Sequence, residues 1–457
     1  MTAAAQQQKM PDADRWGERM PRAVGLWSTV TVVVGIMIGS GIFRVPATVA
    51  AVLHSPGPAM VCWLLGGLVA LSGTLSVAEL AAALPRSGGI FAYLLEIYGP
   101  LTAFVFGWTE LAVIRAAALG ATAMIFAEYL GYFIALTAWQ VHEVAAVGIL
   151  VVGTINYIGV RRAVAVLAPA TAAKYAALLA LGLLAFTAVA SGSAPRHLLW
   201  EGGARASLIA TALIPVMYTY DGWADVSYMG GEIANPQRTL PLALVLGTSC
   251  VMLVYLVVNL GFWYALPASE LAHAPLVAAT VANHIPLMGG SGAAVVAGIV
   301  LLSTFTALHA TLMTGSRVLF ALGDRGLLFR TVSRISPRFQ SPSVAIWLCT
   351  GLGITYVLQS DFAQLADRVI LGLWPFYVLT VAGVYVLRRR RPELPRPYRT
   401  WGYPLVPALF LAASALMLGN ALFAHPRDSG VSLLVIAAGV PIYYVWRSAT
   451  KKASRPA

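Results

Sequence analysis

Apolar residues recur in long runs along almost the whole chain, separated by short stretches rich in polar residues, Gly and Pro. A run of about 20 apolar residues matches the helix length that crosses the ~30 Å hydrocarbon layer of a bilayer. The pattern predicts an all-α polytopic membrane protein with twelve transmembrane helices. The predicted spans are 24–52, 59–84, 101–132, 142–159, 166–190, 208–233, 240–266, 293–322, 344–358, 362–387, 404–424 and 431–444.

Two of these spans are interrupted near the middle by residues that release the backbone from helical geometry. Span one is broken at Gly39, Ser40 and Gly41, and span six is broken around Asp221 and Gly222. Inside a bilayer, each backbone N–H or C=O without a partner costs several kcal/mol unless protein or a cavity satisfies it. Such unwound turns are typical of substrate and ion sites in transporters. The paired breaks therefore predict a transporter.

The broken spans lie five helices apart, so the two halves of the chain enter the membrane in opposite senses. This spacing predicts an inverted five-plus-five repeat with the binding site between the repeats. We expect one repeat at 24–190, the other at 207–390, additional helices eleven and twelve at 403–446, and tails at 1–23 and 447–457. The connection 85–100 is predicted to be amphipathic at the membrane surface, and 267–292 is predicted to form an external lid.

Composition agrees with a membrane location: 59% of the residues are hydrophobic and 11% are charged. The net charge of +12 does not indicate nucleic-acid binding, because most of the 30 Lys and Arg residues fall in connections that alternate to one side. This positive-inside bias predicts that both termini are cytoplasmic. We expect the protein to lie in the cell (inner) membrane, in contact with membrane lipid.

Catalytic and metal-binding patterns are not found in the sequence. Cys62, Cys250 and Cys349 lie within apolar runs and suit neither a disulfide framework nor a metal site. No nucleophile elbow, zinc-protease, phosphate-loop or paired-cysteine motif is present. We therefore expect no enzyme activity, no catalytic residue, no metal and no cofactor.

Six ordered segments carry a resemblance to a known family. They are GIMIGSGIFRVP (35–46), VAELAAALPRSGG with FAYLLEIYGP (77–100), LAVIR (111–115), YDGWADVSYMGGEIANPQRTLP (220–241), LSTFTALHATLMTGSRVLFAL (302–322) and RRPELPRPYRTWGYPLVP (390–407). The chain resembles the amino acid–polyamine–organocation transporters, in particular their L-type amino acid transporter branch. The resemblance implies the leucine-transporter fold, alternating access, and exchange or uptake of amino acids. The eukaryotic members carry a cysteine before helix four that links a heavy chain. Residues 135–143 have none, so no disulfide-linked partner is expected and the protein resembles bacterial members.

The expected substrate site lies at the two breaks. A half-helix that begins near Ile42 points its positive end, with the amides of Gly39, Ser40 and Gly41, at a substrate carboxylate. The Met37 carbonyl, at the negative end of the preceding half-helix, suits a substrate ammonium. By resemblance, the carbonyls of Tyr218, Thr219 and Asp221 also accept the ammonium, and the Tyr218 ring is the gate over bound substrate. Resemblance also places Trp374 in the side-chain pocket, although a membrane-interface anchor explains a tryptophan equally well.

Buried charges add two questions. Asp221 either serves function or caps the half-helix that follows it, and a preference for cationic amino acids is a third interpretation. Lys174 lies about 16 Å beyond Arg161 and Arg162, too deep for its ammonium to reach the membrane surface. By resemblance, it occupies the cation site of sodium-coupled relatives and bridges helix one to helix eight, where Ser303 or Thr304 accepts. The resemblance therefore implies transport that does not depend on sodium. Lys174 either takes part in proton coupling or is a permanently charged structural brace.

Other charged residues are expected to be structural. Glu110 and Arg115 are five residues apart on one helix, so we expect no pair between them and partners on neighbouring helices. Arg44 flanks the outer half-helix of span one, where it either shapes the external vestibule or is structural. The alternatives to an amino acid transporter are a polyamine or organocation carrier, an intramembrane enzyme, and a receptor that keeps the fold without transport.

Overall fold

The computed structural model describes residues 22–158, 160–190, 205–274, 276–424 and 426–453, and most of these residues are helical. Most of the predicted N-terminal tail, the 191–204 connection and the last four residues lie outside the described part. The α-helices in chain order are α1 (Leu26–Met37), α2 (Val45–Leu53), α3 (Pro56–Ala83), α4 (Ile90–Tyr98), α5 (Pro100–Thr109), α6 (Arg115–Leu130), α7 (Ala138–Ile158), α8 (Val160–Ala190), α9 (Ala206–Tyr220), α10 (Pro236–Ala265), α11 (Ala268–His273), α12 (Val277–Asn283), α13 (Gly292–Asp324), α14 (Ser343–Val357), α15 (Phe362–Arg390), α16 (Leu405–Ala424) and α17 (Pro426–Ala453).

Length and hydropathy identify a polytopic helical membrane protein. Among the described residues, eight helices are long and apolar enough to cross a bilayer. Four shorter apolar helices, of 10 to 17 residues, lie in α1, α8, α9 and α14. Two of these four, α1 and α9, belong to the interrupted spans and are short because each ends at a break.

Span one is broken where the Gly-Ser-Gly sequence predicts. Helix α1 ends at Met37, a 3₁₀ turn covers Gly41–Phe43, and α2 begins at Val45. The residues between Met37 and Gly41 belong to no helix. The predicted interruption is confirmed, and the second half-helix begins a few residues later than Ile42.

Span six is also broken, but its second half differs from the prediction. After α9 ends at Tyr220, the chain turns at Gly222 (φ +92°) and continues as 3₁₀ segments at Asp225–Tyr228 and Gly230–Glu232. The expectation of an α-helical second half is therefore wrong. A cap role for Asp221 on that half-helix is also wrong, since no α-helix begins there.

The connection after α3 supports this irregular segment. The Gly88 N–H donates to the Tyr228 carbonyl at 2.9 Å, and Ser87 forms an isolated bridge with Met229. Helix α4, which follows, buries most of its apolar side chains within the protein. Helix α4 packs on α5, α13 and α15, and its position relative to the membrane surface stays a prediction.

The broken spans lie at the centre of the helix assembly. Helix α1 packs against α8, α10 and α13, while α2 and α9 pack against each other and against α3. Helices α16 and α17 pack at the periphery, on α3, α5, α9 and α15. The predicted lid consists of α11, which packs on α2, and α12, which packs on α13. The two breaks are thus enclosed by protein on all of these sides.

Helices α8 and α10 touch through small residues. A Cβ atom at Gly261 would lie 2.3 Å from the Gly182 carbonyl oxygen and 3.1 Å from the Ala185 Cβ. The first atom belongs to the backbone and cannot rotate away. Close approach of two backbones at small residues is a common device for helix association in membranes.

We expect Gly261→Ala to destabilise the protein, because the added methyl group forces α8 and α10 apart. Overpacking of this kind costs about 1–3 kcal/mol. Thermal unfolding of the purified protein in detergent measures the effect as a lower transition temperature. Gly351→Ala is the control, since a Cβ atom there meets nothing within 4 Å. An unchanged transition for Gly261→Ala would contradict the tight contact.

Candidate functional site

The two breaks face each other across a short distance. The Ser40 and Tyr218 hydroxyl oxygens are 3.4 Å apart. A Cβ atom at Gly41 would lie 2.7 Å from the Thr219 Oγ1, and one at Gly222 would lie 2.5 Å from the Ile36 Cγ2. Glycine at these two positions therefore lets the interrupted spans approach closely.

A cavity opens between the breaks, and about 490 Å³ of space in and around it, open solvent included, holds no protein atom. Seven of the predicted site residues line it: Met37, Gly39, Ser40, Gly41, Tyr218, Thr219 and Asp221. The remaining wall comes from Ile36, Gly222 and Asp225, from Arg115, Ala118 and Thr122 on α6, from Ala307 and Thr311 on α13, and from Val369 on α15. Trp374, Lys174, Ser303 and Thr304 are not among the lining residues.

Tyr255 on α10 is a site residue that sequence analysis missed. Its buried hydroxyl donates to the Met37 carbonyl at 2.5 Å and lies 3.2 Å from the Thr219 carbonyl. Each carbonyl belongs to a different break, so one side chain joins the two. A hydroxyl has only one proton to donate, which leaves acceptor capacity on one of the carbonyls. Nothing in the apolar sequence around Tyr255 distinguishes it from a core aromatic residue.

Lys174 on α8 is held by the end of α1. Its buried Nζ donates to the Gly35 carbonyl at 2.8 Å and to the Ile38 carbonyl at 2.7 Å. Gly35 lies in the last turn of α1 and Ile38 directly follows the helix, at the end where the helix dipole favours a cation. The predicted contact of Lys174 with span one is therefore present in the structure.

The predicted acceptor of Lys174 on α13 is wrong. The Thr304 hydroxyl donates to the Val300 carbonyl of its own helix, and the Ser303 Oγ has no hydrogen-bond partner. The two carbonyls exposed at the end of α1 are stronger acceptors for an ammonium than an already bonded hydroxyl. Lys174 therefore stabilises the end of α1 without bridging to Ser303 or Thr304.

One wall of the cavity carries a buried ion network. Arg115 donates from Nε to the Glu110 carboxylate at 2.8 Å and from Nη1 to the Asp225 carboxylate at 3.3 Å. Nη1 also donates to the Thr311 carbonyl at 3.2 Å, and the Thr314 hydroxyl donates to Asp225. The network joins α6, α13 and the 3₁₀ segment of span six, as the prediction of partners on neighbouring helices requires.

The prediction that Glu110 and Arg115 do not pair is wrong. Residues Glu110–Ile114 form a π-helical turn between α5 and α6. Hydrogen bonds in a π-turn join residues five apart, so such residues lie on one face as residues four apart do in an α-helix. The prediction assumed regular α-helical geometry, and the apolar sequence of the turn gives no warning of the extra residue.

Asp221 and Trp374 are connected through one tyrosine. The Tyr377 hydroxyl donates to the Asp221 carboxylate at 2.8 Å. The Tyr377 ring packs edge-on against Trp374, at 5.4 Å between centroids. Trp374 is fully buried and donates from its indole nitrogen to the Ser414 hydroxyl. It supports the residue that orients Asp221 and lies one layer behind the cavity wall, which also excludes a membrane-interface position.

Metal coordination has no support in the described part of the chain, where no group of three or more His, Cys, Asp or Glu side chains could hold an ion. The ionic groups near the cavity are instead paired with one another, as Arg115 is with Glu110 and Asp225. The cavity therefore offers a small ligand both backbone N–H donors and backbone C=O acceptors, next to a wall that carries charged side chains.

Comparison with known proteins gives a consistent picture. The family model described as amino acid permease matches residues 24–446. The serine/threonine exchanger SteT of Bacillus subtilis is 29% identical over 93% of this chain and 97% of its own length. The human b(0,+)-type amino acid transporter 1 is 30% identical, with 93% of this chain and 88% of the relative aligned. The human cystine/glutamate transporter is also 30% identical, over 94% and 86%.

We expect Tyr255→Phe to weaken the connection between the breaks. Loss of one buried hydroxyl that serves two carbonyls corresponds to about 1–3 kcal/mol, since the acceptors remain buried. The variant should unfold at a lower temperature and show altered ligand affinity in detergent. Tyr98→Phe is the matched control, since its hydroxyl serves only the Leu379 carbonyl, remote from the breaks. Equal effects on affinity in both variants would contradict the role of Tyr255.

We expect Gly39→Ala to fold but to bind ligand about tenfold more weakly, equivalent to about 1.4 kcal/mol. The new methyl group would enter the cavity 3.3 Å from the Ile36 carbonyl oxygen and 3.8 Å from the Ala307 Cβ, so neighbouring atoms shift little. Thermal stability and calorimetric binding of candidate ligands measure the two quantities separately. Gly298→Ala, where a Cβ atom meets nothing within 4 Å, is the control. Unchanged affinity in Gly39→Ala would remove Gly39 from the site.

Proposed function

The chain belongs to the amino acid permease family, and on this premise we propose that it is a secondary transporter that takes amino acids across the membrane by alternating access. The observation that supports this most strongly is the cavity shared by the two helix breaks. The family relatives named above carry or exchange amino acids according to their names, and they align over most of their length. No catalytic role for any residue is part of the proposal.

The backbone at the first break supports recognition of a carboxylate. Within the described residues, the N–H groups of Ser40 and Gly41 donate to no backbone carbonyl. They precede the 3₁₀ turn and α2, so the positive end of that segment points the same way. Free N–H groups at a helix start are a general anion site. The substrate α-carboxylate would bind here.

The carbonyls at both breaks would receive the substrate ammonium. Thr219 and Met37 share the single proton of the Tyr255 hydroxyl, so acceptor capacity remains between them. An α-amino acid would then bind through its α-carboxylate and α-ammonium, which all α-amino acids have. Its side chain would extend toward α6 and α15. The Tyr218 ring, which lines the cavity, would act as the gate.

For the architecture, we propose twelve transmembrane helices in the leucine-transporter arrangement, with repeats at 24–190 and 207–390. The helical segments that follow the predicted spans and the breaks in spans one and six support it. The distribution of Lys and Arg supports cytoplasmic termini and insertion in an inner membrane. Transport would follow from movement of spans one, two, six and seven against the other helices.

For the energy source, we propose transport without sodium, by exchange or with a proton gradient. The Lys174 ammonium bonds to two carbonyls at the end of α1, where a sodium ion would need oxygen ligands. A fixed positive charge at that place repels a second cation. We also propose that no disulfide-linked partner is needed, because Cys62 and Cys349 are buried and Cys250 is half-buried, all within apolar helices.

A second candidate function is transport of an organic cation or polyamine. One observation favours it: two carboxylates, Asp221 and Asp225, line the same cavity as a single Arg115. Arg115 is already paired with Asp225 and Glu110, so Asp221 forms no ion pair within this network. A cationic group of a substrate would provide Asp221 with an ion-pair partner.

Uptake into proteoliposomes tests these proposals together. We expect accumulation or counterflow of at least one neutral amino acid in sodium-free buffer, because Lys174 fills the cation position. The panel should include arginine, lysine and putrescine, with and without sodium and proton gradients. Strict dependence on sodium would contradict the coupling proposal. Transport of putrescine without any amino acid would replace the main proposal with the second candidate, and empty liposomes provide the background.

A further inference from the structure

Arg44 occupies a distinctive place beside the cavity. It lies between the 3₁₀ turn of span one and α2, three residues after Gly41. Its Nη1 donates to the Glu128 carboxylate of α6 at 2.5 Å, with the two side chains 31% and 22% exposed. Its guanidinium carbon also lies 5.7 Å from the centre of the Phe362 ring on α15. One side chain therefore connects three elements at the rim of the site.

Aromatic contacts continue from this rim to the cavity. The Phe362 ring meets the Tyr218 ring edge-on, with 5.7 Å between centroids and an angle of 81°. Tyr218 lines the cavity, and its hydroxyl lies 3.4 Å from that of Ser40. Arg44, Phe362 and Tyr218 thus form a continuous row of contacts from the partly exposed ion pair to the cavity.

A second ion pair lies at the opposite end of the broken spans. Arg317 of α13 donates from Nε to the Glu232 carboxylate at 3.1 Å, and the Glu232 carbonyl accepts from the N–H groups of Ala23 and Val24. These residues precede α1, whose 12 residues cover about 18 Å before Met37 is reached. The cavity therefore lies between the two pairs. Arg44 is at the end that the charge distribution assigns to the outside.

We propose that the Arg44–Glu128 ion pair is the outer latch of the cavity: it holds α2 against α6 with Phe362 and Tyr218 beneath it, and it must open for substrate to enter from outside. This inference rests on the proposed transport function and orientation. Arg44 and Glu128 act through the position of α2 and do not touch the substrate, so they are positioning residues.

The burial of the two pairs supports different tasks. Partly exposed pairs are weak and screened by salt, whereas a buried pair is costly to separate. The side chains of Arg317 and Glu232 are 1% and 11% exposed, against 31% and 22% for Arg44 and Glu128. The outer pair is therefore expected to open more readily than the inner pair.

The test measures access to the cavity from outside and needs no transport. Thr122, which lines the cavity on α6, is replaced by cysteine in full-length protein that carries Cys62→Ala, Cys250→Ala and Cys349→Ala. In proteoliposomes, a membrane-impermeant methanethiosulfonate reagent added outside modifies the new thiol. The rate of modification reports how often the outer end is open.

We expect Arg44→Gln to raise this rate about fivefold, which corresponds to about 1 kcal/mol. Arg44→Glu should raise it at least as much, and the double change Arg44→Glu with Glu128→Arg should restore the slow rate. High salt should raise the rate in the parent protein and not in Arg44→Gln. Arg391→Gln is the control, because it breaks a partly exposed pair with Glu96 in another part of the molecule.

Unchanged rates in Arg44→Gln and Arg44→Glu would overturn the latch, even if the protein transports amino acids. Faster modification in these variants, reversed by the double change, would support the latch even if no amino acid were transported. The double variant also guards against misfolding, since a disrupted fold would not recover the slow rate. The two proposals can therefore fail independently.

Discussion

The need to satisfy backbone groups inside the membrane is the constraint on which this structure depends. Breaking spans one and six frees carbonyls and N–H groups that lipid cannot bind. The structure meets this need unevenly. Lys174 takes the Gly35 and Ile38 carbonyls, and Tyr255 serves Met37 and Thr219. The N–H groups of Ser40 and Gly41 keep their donor capacity. The carbonyls that Lys174 and Tyr255 bind hold the two breaks in place. The N–H groups that remain without a partner belong to the candidate site.

Charge near the cavity follows the same logic. Arg115 pairs with both Glu110 and Asp225 across three elements, so one positive charge is shared by two carboxylates in the cavity wall. Asp221 is oriented by Tyr377, which in turn packs on Trp374. A buried ion network adds little to stability compared with apolar packing, but removing one member would leave an uncompensated buried charge. Arg115 and Tyr377 thus orient the carboxylates of Asp225 and Asp221 at this end of the cavity.

The sequence predicted the parts that carry a local signal. Glycines within apolar runs marked both breaks, and seven of the predicted site residues line the cavity. Tyr255 could not be found in this way, because a tyrosine within an apolar helix has no signature that separates a core residue from one that joins two breaks. The second half of span six was expected to be α-helical because it continues the apolar run that begins at residue 208. Gly222 and the Gly230-Gly231 pair gave the better signal, but their effect depends on the 85–89 loop that packs against them.

The π-turn at Glu110–Ile114 sets which face of α6 meets the cavity. One additional residue in a helix turns everything after it by about 100° relative to an uninterrupted α-helix. Arg115, Ala118 and Thr122 face the chamber with the turn present. A chain shortened by one residue there would present a different row of α6 side chains to the cavity and would also turn Glu128, near the far end of α6, away from Arg44. A single insertion or deletion at the π-turn would therefore change the lining of the cavity and the packing of α6 on α7, α13, α14 and α15 together.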